Sequence, residues 1–477
     1  MKRHRCASLV LCLVMASTVL ACRGRTGSGP PPNVLLIVVD TLRADRLGVY
    51  GDSRGLTPFL DELAGRGTVF ANAYAPTSWT APSVASLFTS RYSRQHGVIA
   101  LESKLADAET TLAEALAPLH YVAGGFSANF RVDEAHGFAQ GFAHWRVFLP
   151  DPDAKKVRGD VVRRESTKWF DTTRKQSPGR PILLYLHYME SHAPYEPVEP
   201  FRSRFQRLDS ATVDPDAAKA KLLRWVGTGT RKLSPAEIDH LESLYDGEAA
   251  SVDAEIRLLV SELDALGFFA NAVVVFTADH GEEFAEHGEV LHGRTLYNAA
   301  IKIPLIIVAP GFAGGHVVDE NVSLLDVAPT VQDLAGALPQ ANAEGHSLRR
   351  LMKPASGPVG AAPSAAPPPC CANWSRRAST TRVHTRVRSS RARTSCCSAR
   401  PAKRSSSIFP GIPANSIRYR PRPPSHPPPS SSAPSKRDRR NCACARTSAA
   451  KPSRWTRRPA KSCARSAISS EGAAARG

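Results

Sequence analysis

The chain has 477 residues, of which 42% are hydrophobic and 22% charged, a composition typical of globular proteins that bury a core. Its net charge of +19 is confined to the C-terminal part, because residues 353–477 contain 26 lysines and arginines but only 2 acidic residues. The first 352 residues hold 36 basic and 41 acidic side chains and are mildly acidic. This distribution argues against a basic groove for nucleic acid, and we expect no nucleic-acid partner.

The ten cysteines lie at the two ends of the chain, and none lies between Cys22 and Cys370. The body of the protein therefore has no disulfide framework, no thiolate metal site and no cysteine nucleophile.

The first residues are typical of an export signal. Three of the first five residues are basic, and the apolar stretch 7–20 is too short to span a bilayer. The stretch is followed by Cys22 in the order Val-Leu-Ala-Cys, which resembles the lipidation motif of bacterial lipoproteins; an ordinary secretory peptide with an incidental cysteine is the alternative. We expect a signal peptide over 1–21, a lipid on Cys22 and a tether over 22–32, and hence an exported lipoprotein of the bacterial cell envelope.

Apolar, β-branched runs alternate with helical patterns along the body. The runs 33–39 and 272–276 are typical of strands buried on both faces of a parallel sheet, and 181–186 and 303–308 are two more. A capping box with proline at the first helical position begins at Ser234. The alternation predicts an α/β fold with a mainly parallel central sheet flanked by helices.

The run 33–39 ends at Asp40, and the run 272–276 is followed by Asp279 and His280. Because ligands in such folds bind outside the carboxyl ends of the strands, both endings point to one site. Two carboxylates and an imidazole suit a hard or borderline divalent cation, although each aspartate alone could equally cap a helix or turn.

Thr80 precedes a proline and a helix-compatible stretch, so we expect it at a helix N-terminus, where unpaired amides favour an anion. A hydroxyl there can attack a tetrahedral phosphorus or sulfur centre when a metal ionises it, or it can simply cap the helix. His192 and His292 are candidates to protonate a leaving group or to hold an anionic oxygen.

Residues 33–352 resemble the sulfatase branch of the alkaline-phosphatase superfamily. Six stretches match its successive blocks in order: PNVLLIVVDTLRADRLGVYG, TPFLDELAGRGTVFANAYAP, APSVASLFTSRY, HYMESHAPYEP, FTADHGEEFAEHG and VSLLDVAPTVQDLAG. The resemblance implies an alkaline-phosphatase-like catalytic domain over 33–352. It also implies a divalent metal (Zn, Mn or Ca), held by Asp40, Asp279, His280 and Thr80. His192 and His292 would lie near the transferred group, and Asn129 at a substrate-contacting position.

Three departures from the family pattern bear on the chemistry. Sulfatases convert a Cys or Ser in a C/S-x-P-S-R motif to formylglycine, but here the position is Thr80, which cannot form that aldehyde, and the arginine position is Val84. The second aspartate of the usual pair is Thr41. A threonine nucleophile resembles the phosphodiesterase and phosphotransferase relatives of the superfamily, and we expect no formylglycine.

The segment 353–477 is rich in Pro, Ser, Arg, Ala and Cys and lacks helical or strand periodicity. A disordered basic tail is one interpretation. A shifted reading frame is the other, since in an alternative frame residues 404–418 can encode a peptide that resembles the C-terminal ELYDL…DPGE stretch of sulfatases. The family's smaller C-terminal domain would then be lost.

The sequence therefore predicts a metal-dependent hydrolase or transferase of phosphate or sulfate esters, with Thr80 as nucleophile, an anionic ester as substrate and a lipid anchor in the membrane. The alternatives are a catalytically inactive, truncated or frameshifted product and, less favoured for an exported chain, a basic-tail binder of nucleic acid or anionic surfaces.

Overall fold

A computed structural model of the chain describes residues 29–150, 156–207, 213 and 233–356. The predicted signal peptide, Cys22 and nearly all of the segment 353–477 lie outside the described residues. No helix within the described ranges is long and apolar enough to cross a membrane.

The described strands form one nine-stranded sheet and one two-stranded sheet. The large sheet has the order β11-β2-β10-β6-β1-β5-β3-β4, with β9 paired to β2, and β7 and β8 form the small sheet. The strands are β1 (Asn33–Val39), β2 (Thr68–Tyr74), β3 (Val122–Ser127), β4 (His144–Val147), β5 (Ile182–Tyr188), β6 (Ala272–Thr277), β7 (Glu283–Phe284), β8 (Val290–Leu291), β9 (Lys302–Ile303), β10 (Leu305–Val308) and β11 (His316–Ser323).

Helices connect the strands. The α-helices are α1 (Pro58–Gly65), α2 (Thr80–Thr89), α3 (Ser93–His96), α4 (Leu112–Leu116), α5 (Gly159–Gln176), α6 (Phe201–Phe205), α7 (Pro235–Ala265), α8 (Asn298–Ile301) and α9 (Val327–Ala335). Short 3-10 helices are Ala44–Arg46, Gly48–Tyr50, Ala117–Leu119, Phe268–Asn271, Leu324–Asp326 and Leu348–Leu351.

Strand β1 lies at the centre of the sheet, parallel to β5 on one side and to β6 on the other. Beyond β5, β3 and β4 continue in the same direction. The six residues of β1 after Asn33 are all buried, which matches a strand covered on both faces. The predicted α/β fold with a mainly parallel sheet is confirmed.

The predicted run 303–308 differs in two respects. Pro304 divides it into β9, which pairs with β2, and β10, because proline has no N–H to donate to a sheet ladder. Strand β10 is antiparallel to both β6 and β2, a direction that an apolar run does not reveal.

Helix α7 begins as predicted. The Ser234 side chain accepts a hydrogen bond from the backbone N–H of Glu237, which completes the capping box, and Pro235 is the first helical residue. The helix ends beside Gly267, whose φ of 80° places it in the left-handed region that favours glycine. Buried side chains of α7 pack towards the sheet, and one of them, Tyr245, reaches the loop after β1.

Candidate active site

The carboxyl edge of the sheet brings the predicted site residues together. Asp40 follows β1, Asn129 follows β3, Asp279 and His280 follow β6, and Thr80 is the first residue of α2. Because β6, β1, β5 and β3 are consecutive parallel strands, their carboxyl ends lie side by side. All five residues are buried.

The two carboxylate oxygens of Asp40 have different environments. Its Oδ2 accepts hydrogen bonds from Asn129 Nδ2 at 2.6 Å, His187 Nε2 at 3.2 Å and Thr80 Oγ1 at 3.4 Å. Its Oδ1 is buried and has no hydrogen-bond partner. Burial alone would raise the pKa of Asp40, but the hydrogen bond from His187 and the nearby imidazoles hold it below its usual range, so the group is ionised.

The two carboxylate oxygens of Asp279 also have different environments. Its Oδ1 accepts the backbone N–H groups of His280 at 2.9 Å and Thr41 at 3.2 Å, whereas its buried Oδ2 has no hydrogen-bond partner. Burial and the nearby charge of Asp40 raise the pKa of Asp279 to about 7. Two buried carboxylates that each keep one free oxygen are costly without a cation.

Thr41 fixes the turn that follows Asp40. Its φ of 60° is unusual for a β-branched residue. The conformation is held from both sides, because its N–H donates to Asp279 and its carbonyl oxygen accepts from the Tyr245 hydroxyl at 2.7 Å. These two hydrogen bonds connect the end of β1 to the end of β6 and to helix α7.

The ring of His280 presents Nε2 to both free oxygens. Its Nδ1 lies 2.9 Å from the carbonyl oxygen of Gly281 and carries the proton that this contact requires, which leaves a lone pair on Nε2. Nε2 lies 3.4 Å from Asp279 Oδ2 and 3.8 Å from Asp40 Oδ1. Burial lowers the pKa of His280 to about 3, so the ring is neutral. The free oxygens and Nε2 form a donor set that fits a divalent metal ion.

Thr80 places its hydroxyl at this donor set. Its Oγ1 lies 3.3 Å from His280 Nε2 and 3.4 Å from Asp40 Oδ2. The cap position of the ten-residue helix α2 is Trp79, whose side chain makes no capping hydrogen bond, so Thr80 is not the cap residue. The N-terminal amides of α2 and its dipole favour negative charge next to this hydroxyl.

His192 and His292 lie together beside the cluster. Their ring centroids are 5.0 Å apart, and that of His292 lies 4.6 Å from the centroid of His280. Burial alone would lower the pKa of His292, but its 2.8 Å contact with the buried carboxylate of Glu282 raises it to about 9. The Tyr195 hydroxyl donates to the other oxygen of Glu282 at 2.9 Å. His292 is therefore protonated at neutral pH, whereas burial lowers the pKa of His192.

Glu190, which precedes His192 by two residues, turns away from the site. Its Oε1 accepts the backbone N–H of Gly159, and it lies in a second buried cluster with Lys156 and Glu248, which form an ion pair at 2.5 Å. Burial and the neighbouring charge of Glu248 raise the pKa of Glu190 to about 7. Lys156 also donates to the carbonyl oxygens of Glu190 and His192, so the cluster supports the loop that carries His192.

Sequence reasoning missed Glu282 and His187. Glu282 follows the predicted Asp279-His280 pair by two residues, so it could have been found as a further acidic group at the same strand end. His187 lies inside the apolar strand β5, where a single imidazole in a fully buried run was the available signal.

Comparison with known proteins identifies the family. The sequence model of the family described as Sulfatase matches residues 32–337, which is more than half of the chain. The chain belongs to the sulfatase family. Its place there makes the buried edge described above the candidate active site of an ester hydrolase, and the resemblance read from the sequence blocks is confirmed.

Two curated relatives and one solved structure illustrate the similarity. This sulfatase-family chain is 28% identical over 374 residues to arylsulfatase K of Canis lupus familiaris, covering 69% of this chain and 68% of the relative. It is 26% identical over 394 residues to a multifunctional alkaline phosphatase superfamily protein of Trinickia caryophylli, covering 66% and 76%. The crystal structure of a phosphonate monoester hydrolase of Agrobacterium radiobacter shares the fold, with a TM-score of 0.56, 21% identity and coverage of 66% and 76%.

Proposed function

We propose that the protein is a metal-dependent hydrolase, or transferase, of phosphate or sulfate esters in which Thr80 is the nucleophile. The observation that carries the proposal is the position of Thr80 Oγ1, within 3.4 Å of both Asp40 and His280 at the start of helix α2. The similarity to sulfatases over residues 32–337 disfavours the alternative of an inactive product.

The metal would be held by Asp40 Oδ1, Asp279 Oδ2 and His280 Nε2, with the Thr80 hydroxyl close enough to join them. The fit rests on the two buried oxygens without hydrogen-bond partners and on the free lone pair of the imidazole. A divalent ion in this position lowers the pKa of a neighbouring hydroxyl and neutralises charge on a transferred phosphoryl or sulfuryl group. Zinc and manganese suit two carboxylates and an imidazole better than calcium, which prefers six to eight oxygens.

In the first half of the reaction, Thr80 Oγ1 attacks the phosphorus or sulfur atom and the bond to the ester oxygen breaks. The Thr80 proton passes to solvent, because Asp40, whose Oδ2 it faces, is held ionised and is a weak base. His292, protonated through its pairing with Glu282, donates a proton to the departing alkoxide. In the second half, water or an acceptor alcohol gives its proton to the now neutral His292 and attacks the same centre. The bond to Thr80 Oγ1 breaks, and the hydroxyl regains a proton from solvent. Asn129, whose Nδ2 lies 3.5 Å from Thr80 Oγ1, and the N-terminal amides of helix α2 would bind the anionic oxygens.

Phosphate esters should react faster than matched sulfate esters. A formylglycine hydrate releases its ester by collapsing to the aldehyde, with no second attack on sulfur, but a threonine ester has no such route. Water must therefore attack phosphorus or sulfur directly.

The experiment compares aryl phosphate, aryl phosphodiester and aryl sulfate substrates that share one leaving group, using protein loaded with zinc or manganese. Thr80→Val keeps the shape of the side chain but removes the hydroxyl, and Thr80→Ser keeps the hydroxyl. We expect phosphate turnover by the parent, measurable turnover by Thr80→Ser and none by Thr80→Val or Thr80→Ala. A clear sulfate preference, or a Thr80→Val variant as active as the parent, would contradict the proposal.

We also propose that Cys22 anchors the protein to the membrane through lipid. Replacing Cys22 by Ala should move the protein from the membrane to the soluble fraction, whereas Cys12→Ala, within the apolar part of the signal, should leave it membrane-bound. Fractionation of cells that express the three forms tests this, and an unchanged distribution of Cys22→Ala would count against the anchor.

A further inference from the structure

A buried chain of hydrogen bonds leads from the interior of the sheet to Asp40. The Tyr185 hydroxyl lies 2.8 Å from His187 Nδ1, and His187 Nε2 lies 3.2 Å from Asp40 Oδ2. Tyr185, His187 and Asp40 are fully buried, with 0% exposure each. Both aromatic residues belong to β5, which pairs directly with β1, so the chain crosses from one strand to its neighbour.

The direction of these hydrogen bonds follows from the groups involved. A ring nitrogen that faces a carboxylate oxygen must carry a proton, so His187 Nε2 donates to Asp40 Oδ2. In the neutral ring Nδ1 is then an acceptor, and the Tyr185 hydroxyl is its donor. Burial raises the pKa of Tyr185 well above its usual range, so the hydroxyl keeps its proton. The Asp40 carboxylate therefore sets the tautomer of His187, and the Tyr185 hydroxyl holds the ring in place by donating to Nδ1.

This chain of donors acts on one oxygen of Asp40. Oδ2 also accepts from Asn129 and Thr80, whereas Oδ1 is the oxygen without a partner. A carboxylate whose one oxygen is saturated by donors can offer only the other to a cation, and in a fixed direction. In Asp279, two backbone amides occupy one carboxylate oxygen and leave the other without a partner. In Asp40, the donors are side chains.

We propose that Tyr185 and His187 are positioning residues that hold Asp40 as a ligand through Oδ1 alone. The inference rests on the proposed metal site and adds to it two residues that touch neither the metal nor the substrate.

The test measures zinc affinity by competition with a chromophoric chelator. Groups that support a ligand in this way typically contribute about 10–100-fold to metal affinity. We expect a loss of that size for His187→Leu, a smaller loss for Tyr185→Phe, and recovery towards the parent for His187→Gln, whose amide nitrogen can still donate to Asp40. Tyr185 packs against Trp145 and Phe88, contacts that a Phe ring preserves.

Tyr188→Phe is the matched control. Tyr188 lies on the same strand, is equally buried, and has a hydroxyl without a hydrogen-bond partner. Its replacement removes the same group from the same strand, so we expect no change in zinc affinity. The difference between the two Tyr→Phe variants therefore isolates the hydrogen bond to His187.

The visible absorption of the cobalt-loaded protein gives a second readout, because it reports the ligand geometry. We expect an altered cobalt spectrum for Tyr185→Phe and His187→Leu and an unaltered one for Tyr188→Phe. If His187→Leu does not fold, the two Tyr→Phe variants and His187→Gln still decide the question.

The outcomes separate this inference from the proposed function. If the parent binds zinc, Asp40→Asn does not, and Tyr185→Phe and His187→Leu match the parent in affinity and spectrum, the positioning role is wrong and the metal site stands. If the parent binds no zinc, or Asp40→Asn binds it equally well, the proposed metal site itself is wrong.

Discussion

Two buried pairs of carboxylates in this protein are balanced in different ways. Glu248 pairs with the buried amine of Lys156 at 2.5 Å, and Glu190 lies beside them with its carboxylate on the backbone N–H of Gly159. Among the described residues, no lysine or arginine forms an ion pair with Asp40 or Asp279. The first cluster contains its own cation, whereas the second has none among the described residues and is the proposed metal site.

Glu282 presents a third case. Its countercharge is the imidazolium of His292, which can lose its proton within the ordinary pH range, and the Tyr195 hydroxyl occupies its other oxygen. A lysine balances the first group of buried carboxylates, a titratable histidine balances Glu282, and a metal ion is proposed for Asp40 and Asp279. The kind of countercharge would then decide whether a buried carboxylate serves stability, proton transfer or metal binding.

The largest expected effect comes from removing one carboxylate of the Asp40 and Asp279 pair. Asp279→Ala should lose zinc together with phosphatase or phosphodiesterase activity, by at least about 1,000-fold, the equivalent of roughly 4 kcal/mol in transition-state stabilisation. Metal content by elemental analysis and kcat/KM are measured on the same sample. If Asp279→Ala keeps a full complement of zinc, Asp279 is not a metal ligand and the proposed difference between the two clusters is wrong.

Removing the internal cation should destabilise the protein and spare the metal. Lys156→Met leaves two buried carboxylates without their partner, and we expect the free energy of unfolding to fall by about 3 kcal/mol in urea titrations. Zinc stoichiometry should stay at the parent's value, and adding Glu248→Gln to Lys156→Met should restore part of the lost stability. Unchanged stability would mean that Lys156 does not balance this cluster.

The smallest expected effect is a shift in the pH dependence of activity, which depends on the pair of His292 and Glu282. Because the pKa of His292 is raised to about 9, its proton-donating form persists at neutral pH and is lost as the pH rises through that value. Glu282→Gln removes the charge that raises this pKa, so the alkaline limb of kcat/KM should move to lower pH by about 1 unit or more. An alkaline limb that stays in place would exclude His292 as the group that titrates there.

Sequence patterns predicted the parts of the site that end strands or begin helices. The apolar run before Asp40, the one before Asp279 and the proline after Thr80 are local signals, and the parallel sheet brings these residues to one edge. The same patterns could not reveal Tyr185, whose role depends on which strand lies beside β1. Strand order is set by packing between segments that are distant in the sequence. Unless the strand order is known, a tyrosine in an apolar run is indistinguishable from an ordinary core residue.

The Glu190 side chain shows the same limit in the opposite direction. It lies two residues from His192 in the sequence, yet its carboxylate accepts the backbone N–H of Gly159 at the start of α5 and lies beside the ion pair of Lys156 and Glu248. Spacing along the chain could not distinguish a ligand from a structural carboxylate, because the distinction is made by the position of Lys156.

The central position of β1 also has a consequence for how the chain folds. This strand is made first, yet the partners that cover its edges are β5, beginning at Ile182, and β6, beginning at Ala272. Until β5 and β6 have been synthesised, β1 is an uncharged, β-branched segment without a partner strand, and such segments are prone to aggregate. Contacts between strands so distant in sequence also form slowly. Asn33 and Asp40 bound this segment with polar groups, the arrangement by which aggregation-prone strands are kept soluble before they pair. In the nascent chain Asp40 would thus protect the strand that later positions it.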